Sequence, residues 1–301
     1  MVFDIVTFGS AVVDTFIDTE FNEKTKSFNY PAGSKILAHS MKSDIGGGAT
    51  NTAVAFSRFG FKTGCICKIG NDNAGEDILR MLKKEKIKFL GSRANSPTGH
   101  SIILDSKSHS RTILTYKGIA DTIKPKEIQP FDSKWLYFSS AMKDSLKSQE
   151  SLAKKLCKTG TKLALNPTEY VIKNVDISNL LKLTDILILN KEEAELLCKK
   201  YKTGKDIFSG LRKLGPKIVV ITDKNNPVYA YGGNKKYSII PNKKIKVVER
   251  TGAGDAFAAG FVSGVMAKMN LQECLELGVK ESESVIQYFG AKNKLLKMKL
   301  K

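Results

Sequence analysis

The segment Arg250-Thr-Gly-Ala-Gly-Asp-Ala-Phe-Ala-Ala-Gly sets a carboxylate, Asp255, directly behind two glycines and at the head of an alanine-rich run. Glycines adopt backbone angles that turn several N–H groups the same way, and the start of a helix adds partial positive charge. Thr251-Gly252-Ala253-Gly254 therefore reads as a loop able to hold an anion such as a phosphoryl group, with both glycines at positive backbone angles. Asp255 has two readings. In the first turn of a helix an Asp stabilises the dipole by about a few tenths of a kcal/mol. Beside an oxyanion site, a carboxylate can instead take a hydroxyl proton while the loop holds the transferring group. This motif alone does not choose between them.

The element that carries Asp255 reads as a helix. Phe257, Phe261 and Val265 form one apolar row at i, i+4 spacing, and Ala256, Gly260 and Gly264 form a row of small residues. Each interior glycine costs roughly 1 kcal/mol of helix propensity, which points to close packing along that row. Other phosphate-binding patterns are missing: no GxxxxGK[ST] occurs, and no GxGxxG follows the first strand. Ile45-Gly-Gly-Gly-Ala-Thr-Asn fails the second test because a polar segment precedes it.

Around these motifs the chain alternates between two periods. Asp4–Gly9 reads as a buried strand, and Val12 to Phe28 alternates as a small peripheral sheet would. Asp44–Gly48 reads as a flexible loop, Ala49–Phe59 as a helix, Thr63–Ile69 as a strand and Gly75–Lys86 as an amphipathic helix. Ser101–Leu104 and Thr112–Tyr116 read as the arms of a second peripheral hairpin. From Trp135 to Thr222 strands and helices alternate, with strands at Trp135–Ser139, Leu163–Asn166, Ile186–Leu189 and Lys217–Thr222 and helices at Lys147–Thr159, Lys191–Tyr201 and Ile207–Leu214. That order predicts a mostly parallel sheet covered by helices on both faces. A hairpin of Val228–Tyr231 and Lys236–Ile240 follows. A strand at Ile245–Val248, helices Asp255–Lys268 and Leu271–Tyr288, and a basic tail of ten residues complete the chain.

At 301 residues and 42% hydrophobic, the chain can bury a large core, so residues 1–301 are expected to form one α/β domain. No apolar run approaches the roughly 20 residues that span a bilayer, and no signal-peptide pattern opens the chain, so a cytoplasmic protein without a membrane partner is expected. The five cysteines lack metal-site spacing and read as reduced, mostly buried thiols. A formal charge of +19 raises the question of nucleic acid, but arginine supplies only six of the 49 basic residues and the lysines are scattered. Nucleic-acid binding is not expected as the function. His39, His100 and His109 are too far apart for a local metal site.

Taken together, Asp44-Ile-Gly-Gly-Gly-Ala-Thr-Asn-Thr-Ala-Val-Ala-Phe-Ser-Arg-Phe-Gly and Glu249-Arg-Thr-Gly-Ala-Gly-Asp-Ala-Phe-Ala-Ala-Gly-Phe resemble the two signatures of the ribokinase-like, PfkB family of carbohydrate kinases. Asn190-Lys-Glu-Glu resembles that family's Asn-x-x-Glu element, and Phe8-Gly-Ser-Ala-Val-Val-Asp places Asp14 where members hold substrate hydroxyls. The resemblance implies a three-layer α/β/α fold with a small β lid, here segments of about 12–43 and 98–118. It further implies ATP near the C-terminal ends of the strands, with Mg²⁺ beside its phosphates. Asp255 becomes the base, Gly252, Ala253 and Gly254 the anion hole, and Asp14, Gly46, Gly47 and Asn51 the acceptor pocket. Asn190 and Glu193 organise the metal and phosphates through water, and Thr222 contacts phosphate. Asn190 as helix cap and Glu193 as first-turn acid is the competing reading of that pair.

Four departures from the family pattern bear on specificity. Asp223-Lys224 follows Thr222 where a glycine is common, so the phosphate donor stays open. Glu249-Arg250 replaces Asp-Thr, which leaves a monovalent-cation site open. Ser140-Ala141-Met142 offers no carboxylate where ribose-specific members have one, and Gly99-His100 stands where phosphosugar-specific members carry an Arg after the Thr. The expected acceptor is a neutral polyol, a free sugar or nucleoside. Arg93, Arg111 and Lys117 are the cations near the lid that a sugar phosphate would use, and the lid's strand edges favour a homodimer.

Overall fold

The computed structural model describes residues 2–19, 32–105 and 111–300. The chain opens with β1 (Val2–Phe8) and β2 (Val12–Asp18), returns as β3 (Ser40–Gly46) and enters α1 (Gly48–Arg58). Next come β4 (Thr63–Ile66), β5 (Lys68–Gly70), α2 (Asn73–Lys84), β6 (Lys88–Phe89) and β7 (Ser92–Ala94), followed by β8 (Gly99–Asp105) and β9 (Arg111–Tyr116). The second half alternates through β10 (Asp132–Ser139), α3 (Lys143–Leu156), β11 (Lys162–Asn166), α4 (Glu169–Asn174), α5 (Ser178–Leu183), β12 (Ile186–Asn190), α6 (Lys191–Tyr201), α7 (Ile207–Lys213) and β13 (Ile218–Thr222). The hairpin β14 (Val228–Gly232) and β15 (Lys235–Ile239) precedes α8 (Ala253–Met266) and α9 (Leu271–Ile286).

Nine strands form one sheet in the order β15, β14, β13, β12, β11, β10, β1, β4, β6. Neighbours are parallel from β13 to β6, and β14 and β15 add an antiparallel edge. Successive strand residues go to opposite faces, so a sheet covered on both sides needs unbroken apolar strands. Ile5 enters one core with α1, α2, α8 and α9, while Val6 enters the other with α3 to α7. Tyr137 and Leu136 divide in the same way. This is the expected three-layer arrangement. No helix among the described residues is long and apolar enough to cross a membrane.

A second sheet runs in the order β3, β2, β8, β9. Ser101–Leu104 and Thr112–Tyr116 do pair antiparallel, but they are not a separate hairpin, because β8 also lies parallel to β2. Residues 20–28 of the Val12–Phe28 segment, and His109, lie outside the described residues. Other expectations are corrected. Asp44–Gly46 belongs to β3 rather than to a flexible loop, and Thr63–Ile69 is interrupted at Cys67, with β4 joining the main sheet and β5 pairing with β7. Ile245–Val248 is not a strand. The N–H groups of Val248 and Glu249 both donate to the Ile286 carbonyl at the end of α9, so this β-branched run bridges to a helix instead of a sheet.

Candidate active site

The phosphate-loop candidate forms the start of α8. Gly252 is its N-cap at φ 78°, and a Cβ there would lie 2.4 Å from the Ala291 Cβ, so both angle and contact demand glycine. Gly254 differs from the expectation. It has no positive φ, and a Cβ on it would meet nothing within 4 Å, so what glycine provides there is open space. The Ala253 N–H donates to the Arg250 carbonyl (3.2 Å), and the first helical bond runs from Ala256 N to Gly252 O (2.8 Å). Gly254 and Asp255 thus precede that first bond, where a helix leaves its N–H groups for an outside acceptor; the Ala253 N–H expected to join them is already used. Glu249 braces the approach, its Oε1 accepting from the N–H groups of Arg250 and Thr251 and from the Thr251 hydroxyl.

Asp255 is partly buried in the first turn and accepts a hydrogen bond on Oδ2 from Asn51 Nδ2 (2.8 Å). Asn51 rides on α1, whose N-cap, Gly47, has φ 98°. A Cβ on Gly47 would lie 2.4 Å from the Ser10 carbonyl oxygen, so the turn into α1 fits only glycine. A Cβ on Gly48 would reach within 3.5 Å of Asp255 Oδ1. The N-termini of α1 and α8 therefore converge on one carboxylate. Burial raises the Asp255 carboxyl above its ordinary range, against the Asn51 hydrogen bond and the Lys292 charge. That is the direction in which a general base gains proton affinity.

Asp14 points from β2 toward the same region and is 9% exposed. A Cβ on Gly46 would lie 1.9 Å from its Oδ2, which explains that glycine by the carboxylate it admits. Burial raises the Asp14 carboxyl, and a hydrogen bond from Ser101 opposes the rise. His100, on the same strand as Ser101, bonds Thr15 Oγ1 through Nε2 (2.8 Å). Asn190 and Glu193 form a complete capping box at the start of α6, with bonds of 2.8 Å in each direction, so the helix-cap geometry is realised. Asn190 also stands beside Thr222 in the β12–β13 register.

Two cavities border the start of α8. One, about 270 Å³, is lined by Thr222, Lys224, Val247, Arg250, Ala253 and Gly254. The other, about 410 Å³, is lined by Ser10, Gly48, Lys117, Asn166, Thr168 and Asp255. Lys117 thus reaches the cavity that holds Asp255, whereas Arg93 is engaged by Glu76 (2.6 Å) and the side chain of Arg111 lies outside the described residues. Asp14, Gly46, Gly47 and Asn51 are not among this cavity's lining residues; Asn51 connects to it through its bond to Asp255 and is itself held by a residue missed in the sequence, Lys292. Read as part of a basic tail, Lys292 is 7% exposed and donates to Asn51 Oδ1 (2.5 Å).

The pfkB family carbohydrate kinase model matches residues 3–298. The chain belongs to that family. An uncharacterised sugar kinase of Archaeoglobus fulgidus is 29% identical over 80% of this chain and 98% of its own length. A cytidine kinase of Thermococcus kodakarensis is 26% identical over 95% of this chain and 97% of its own. The structure of Arabidopsis thaliana ribokinase complexed with ribose and ATP superposes with a TM-score of 0.80 at 23% identity, covering 98% of this chain and 96% of that one. The ribokinase-like fold follows, and the PfkB kinase has relatives acting on both sugars and nucleosides.

Proposed function

We propose that this kinase transfers the γ-phosphoryl group of ATP to a hydroxymethyl group of a small neutral polyol, a free sugar or a nucleoside. The observation that carries the reading is that the start of α8 is shared between two cavities: Ala253 and Gly254 line one, and Asp255 lines the other. A donor phosphate in the first would face an acceptor hydroxyl in the second. Asp255 takes the hydroxyl proton as the oxygen bonds to phosphorus, and the leaving diphosphate departs into the first cavity. The N–H groups of Gly254 and Asp255, with Gly252 shaping the turn, neutralise charge on the transferring group. We assign Asp14, Gly46, Gly47 and Asn51, which lie behind Asp255, to holding the acceptor's hydroxyls, and Thr222 borders the donor side.

Among the described residues no group of three His, Cys, Asp or Glu could hold a metal. The oxygen side chains of Asn190 and Glu193 suit Mg²⁺ bound mainly by nucleotide phosphates and water, with that pair holding the water shell. Bound there, Mg²⁺ would offset phosphate charge. The four-stranded sheet is the lid of one kinase domain. Its edge strands expose Met41 on β3 and Ile113, Leu114 and Tyr116 on β9, a surface suited to a second copy related by a two-fold axis.

Lys117 in the Asp255 cavity supports a second reading, in which the acceptor already carries a phosphate. A coupled assay of ADP release with free sugars, nucleosides and sugar monophosphates separates them. Preference for an uncharged acceptor, retained in Lys117→Ala, supports the first reading. Preference for a monophosphate that Lys117→Ala abolishes overturns it in favour of the second, and no ADP release with any class overturns both.

A further inference from the structure

The four residues Phe289 to Lys292 each touch a different part of the site. Phe289 packs edge-on against Phe16 of β2, with ring centroids 4.4 Å apart. Gly290 turns at φ 87°, where a Cβ would lie 2.1 Å from Asp44 Oδ2, and Ala291 closes against Gly252. Arg58 of α1 donates to the Lys292 carbonyl (2.8 Å). The Lys292 side chain then runs inward, where its ammonium donates to Asn51 Oδ1 and to the Ile45 carbonyl.

An asparagine amide has one accepting end and one donating end. With Oδ1 occupied by a cation, the Asn51 Nδ2 must point the other way, and it points at Asp255 Oδ2. Lys292 also faces Asp44 of β3, Asp14 of β2, Asp255 of α8 and Cys65 of β4. Without its charge, three carboxylates would share a poorly solvated space, and neighbouring carboxylates so placed do not all ionise. The Asn51 oxygen would also lose the cation that holds it, leaving the Asp255 charge alone to orient the amide.

We propose that Lys292 is a positioning residue for phosphoryl transfer: it locks the Asn51 amide onto Asp255 and supplies the counter-charge that lets Asp14 and Asp255 be ionised together. This rests on the kinase reading. The groups acting on Asp255 are Asn51, Lys292 and Asp14, and from β10 Tyr137, whose hydroxyl is held well above its ordinary range by burial and by the Asp255 charge. Burial lowers the Lys292 ammonium to about 8, against the pull of Asp44, Asp14 and Asp255, so it is mostly charged at neutral pH.

The test compares the parent with Lys292→Met, which keeps the length and removes the charge. It also uses Lys292→Met combined with Asp44→Asn, which removes one facing carboxylate and preserves folding if the single variant fails. Two quantities are read. The first is the titration midpoint of the Asp255 carboxyl by carbon-13 NMR, assigned by its loss in Asp255→Asn; the second is the acid limb of kcat/KM for the best acceptor. Both should move to higher pH by about one to three units, the usual effect of losing a nearby opposite charge. kcat at neutral pH should fall about tenfold or more while the KM for ATP changes less than about twofold. A purely structural Lys292 would leave both pH values in place in folded variants, and that result overturns the proposal, as does a shifted NMR midpoint with an unmoved kinetic limb. If the parent phosphorylates no acceptor, the kinase reading fails separately, and the NMR titration still decides whether Lys292 governs the ionisation of Asp255.

Discussion

Asp255→Asn separates a proton acceptor from a helix-start residue. The N-cap is Gly252, so the helix start does not depend on the side chain at 255, and an Asn carbonyl at the Oδ2 position accepts the same 2.8 Å bond from Asn51. What disappears is basicity. A general base contributes about 10²- to 10⁴-fold, so turnover should fall by that factor, or about 2.7–5.5 kcal/mol in the barrier. Stability should move the other way or not at all. Burial raises the folded-state proton affinity of Asp255 above that of the unfolded chain, with the Asn51 bond and Lys292 opposing as smaller influences. A raised carboxyl favours the fold fully only below the unfolded value and loses that contribution as pH rises through the folded one. Ionising Asp255 as pH rises therefore costs stability, and the amide removes that cost. Coupled ADP-release kinetics and thermal unfolding at pH 7.5 measure both effects. A variant retaining more than about a tenth of parental turnover, or one whose Tm falls in step with its activity, would refute the assignment.

Three further outcomes are expected. Gly254→Val should fold with near-parental denaturant midpoint yet lose at least about 10²-fold in turnover, because its side chain enters the phosphoryl position, whereas Gly252→Ala should lower stability by about 1–3 kcal/mol through its left-handed angle and the Ala291 contact. Glu281 is fully buried and its carboxyl is raised by burial to about 7 from 4.5; its favourable contribution is present below about pH 4.5 and should fade by about 3 kcal/mol as pH rises through 7, so denaturation of Glu281→Gln should vary less over that interval. Light scattering at micromolar concentration should find a dimer that Leu114→Asp dissociates; a stable parental monomer would remove the lid-pairing proposal.

Local patterns carried most of the framework. α6 spans Lys191–Tyr201 as its periodicity requires, and its capping box is legible in Asn190-Lys-Glu-Glu because both partners lie within one turn. The parallel sheet follows from the alternation after Trp135, since parallel neighbours need crossover helices. The two Gly-rich motifs announced Asp255 and Asn51 separately, 204 positions apart, but only folding sets one amide on the other carboxylate. The short helices α4 and α5 escaped notice because six residues hold too little periodicity to distinguish them from turns. The pairing of β2 with β8 was hidden for a different reason: hydrophobic alternation tells which face of a strand is buried but not which strand lies beside it. Lys292 shows the limit most clearly. In sequence it is one lysine in a basic stretch, where exposure is the ordinary expectation. The tertiary structure turns it inward because the chain passes over α1, β3 and the start of α8 at once, and three carboxylates from distant segments offset much of the cost of burying its charge.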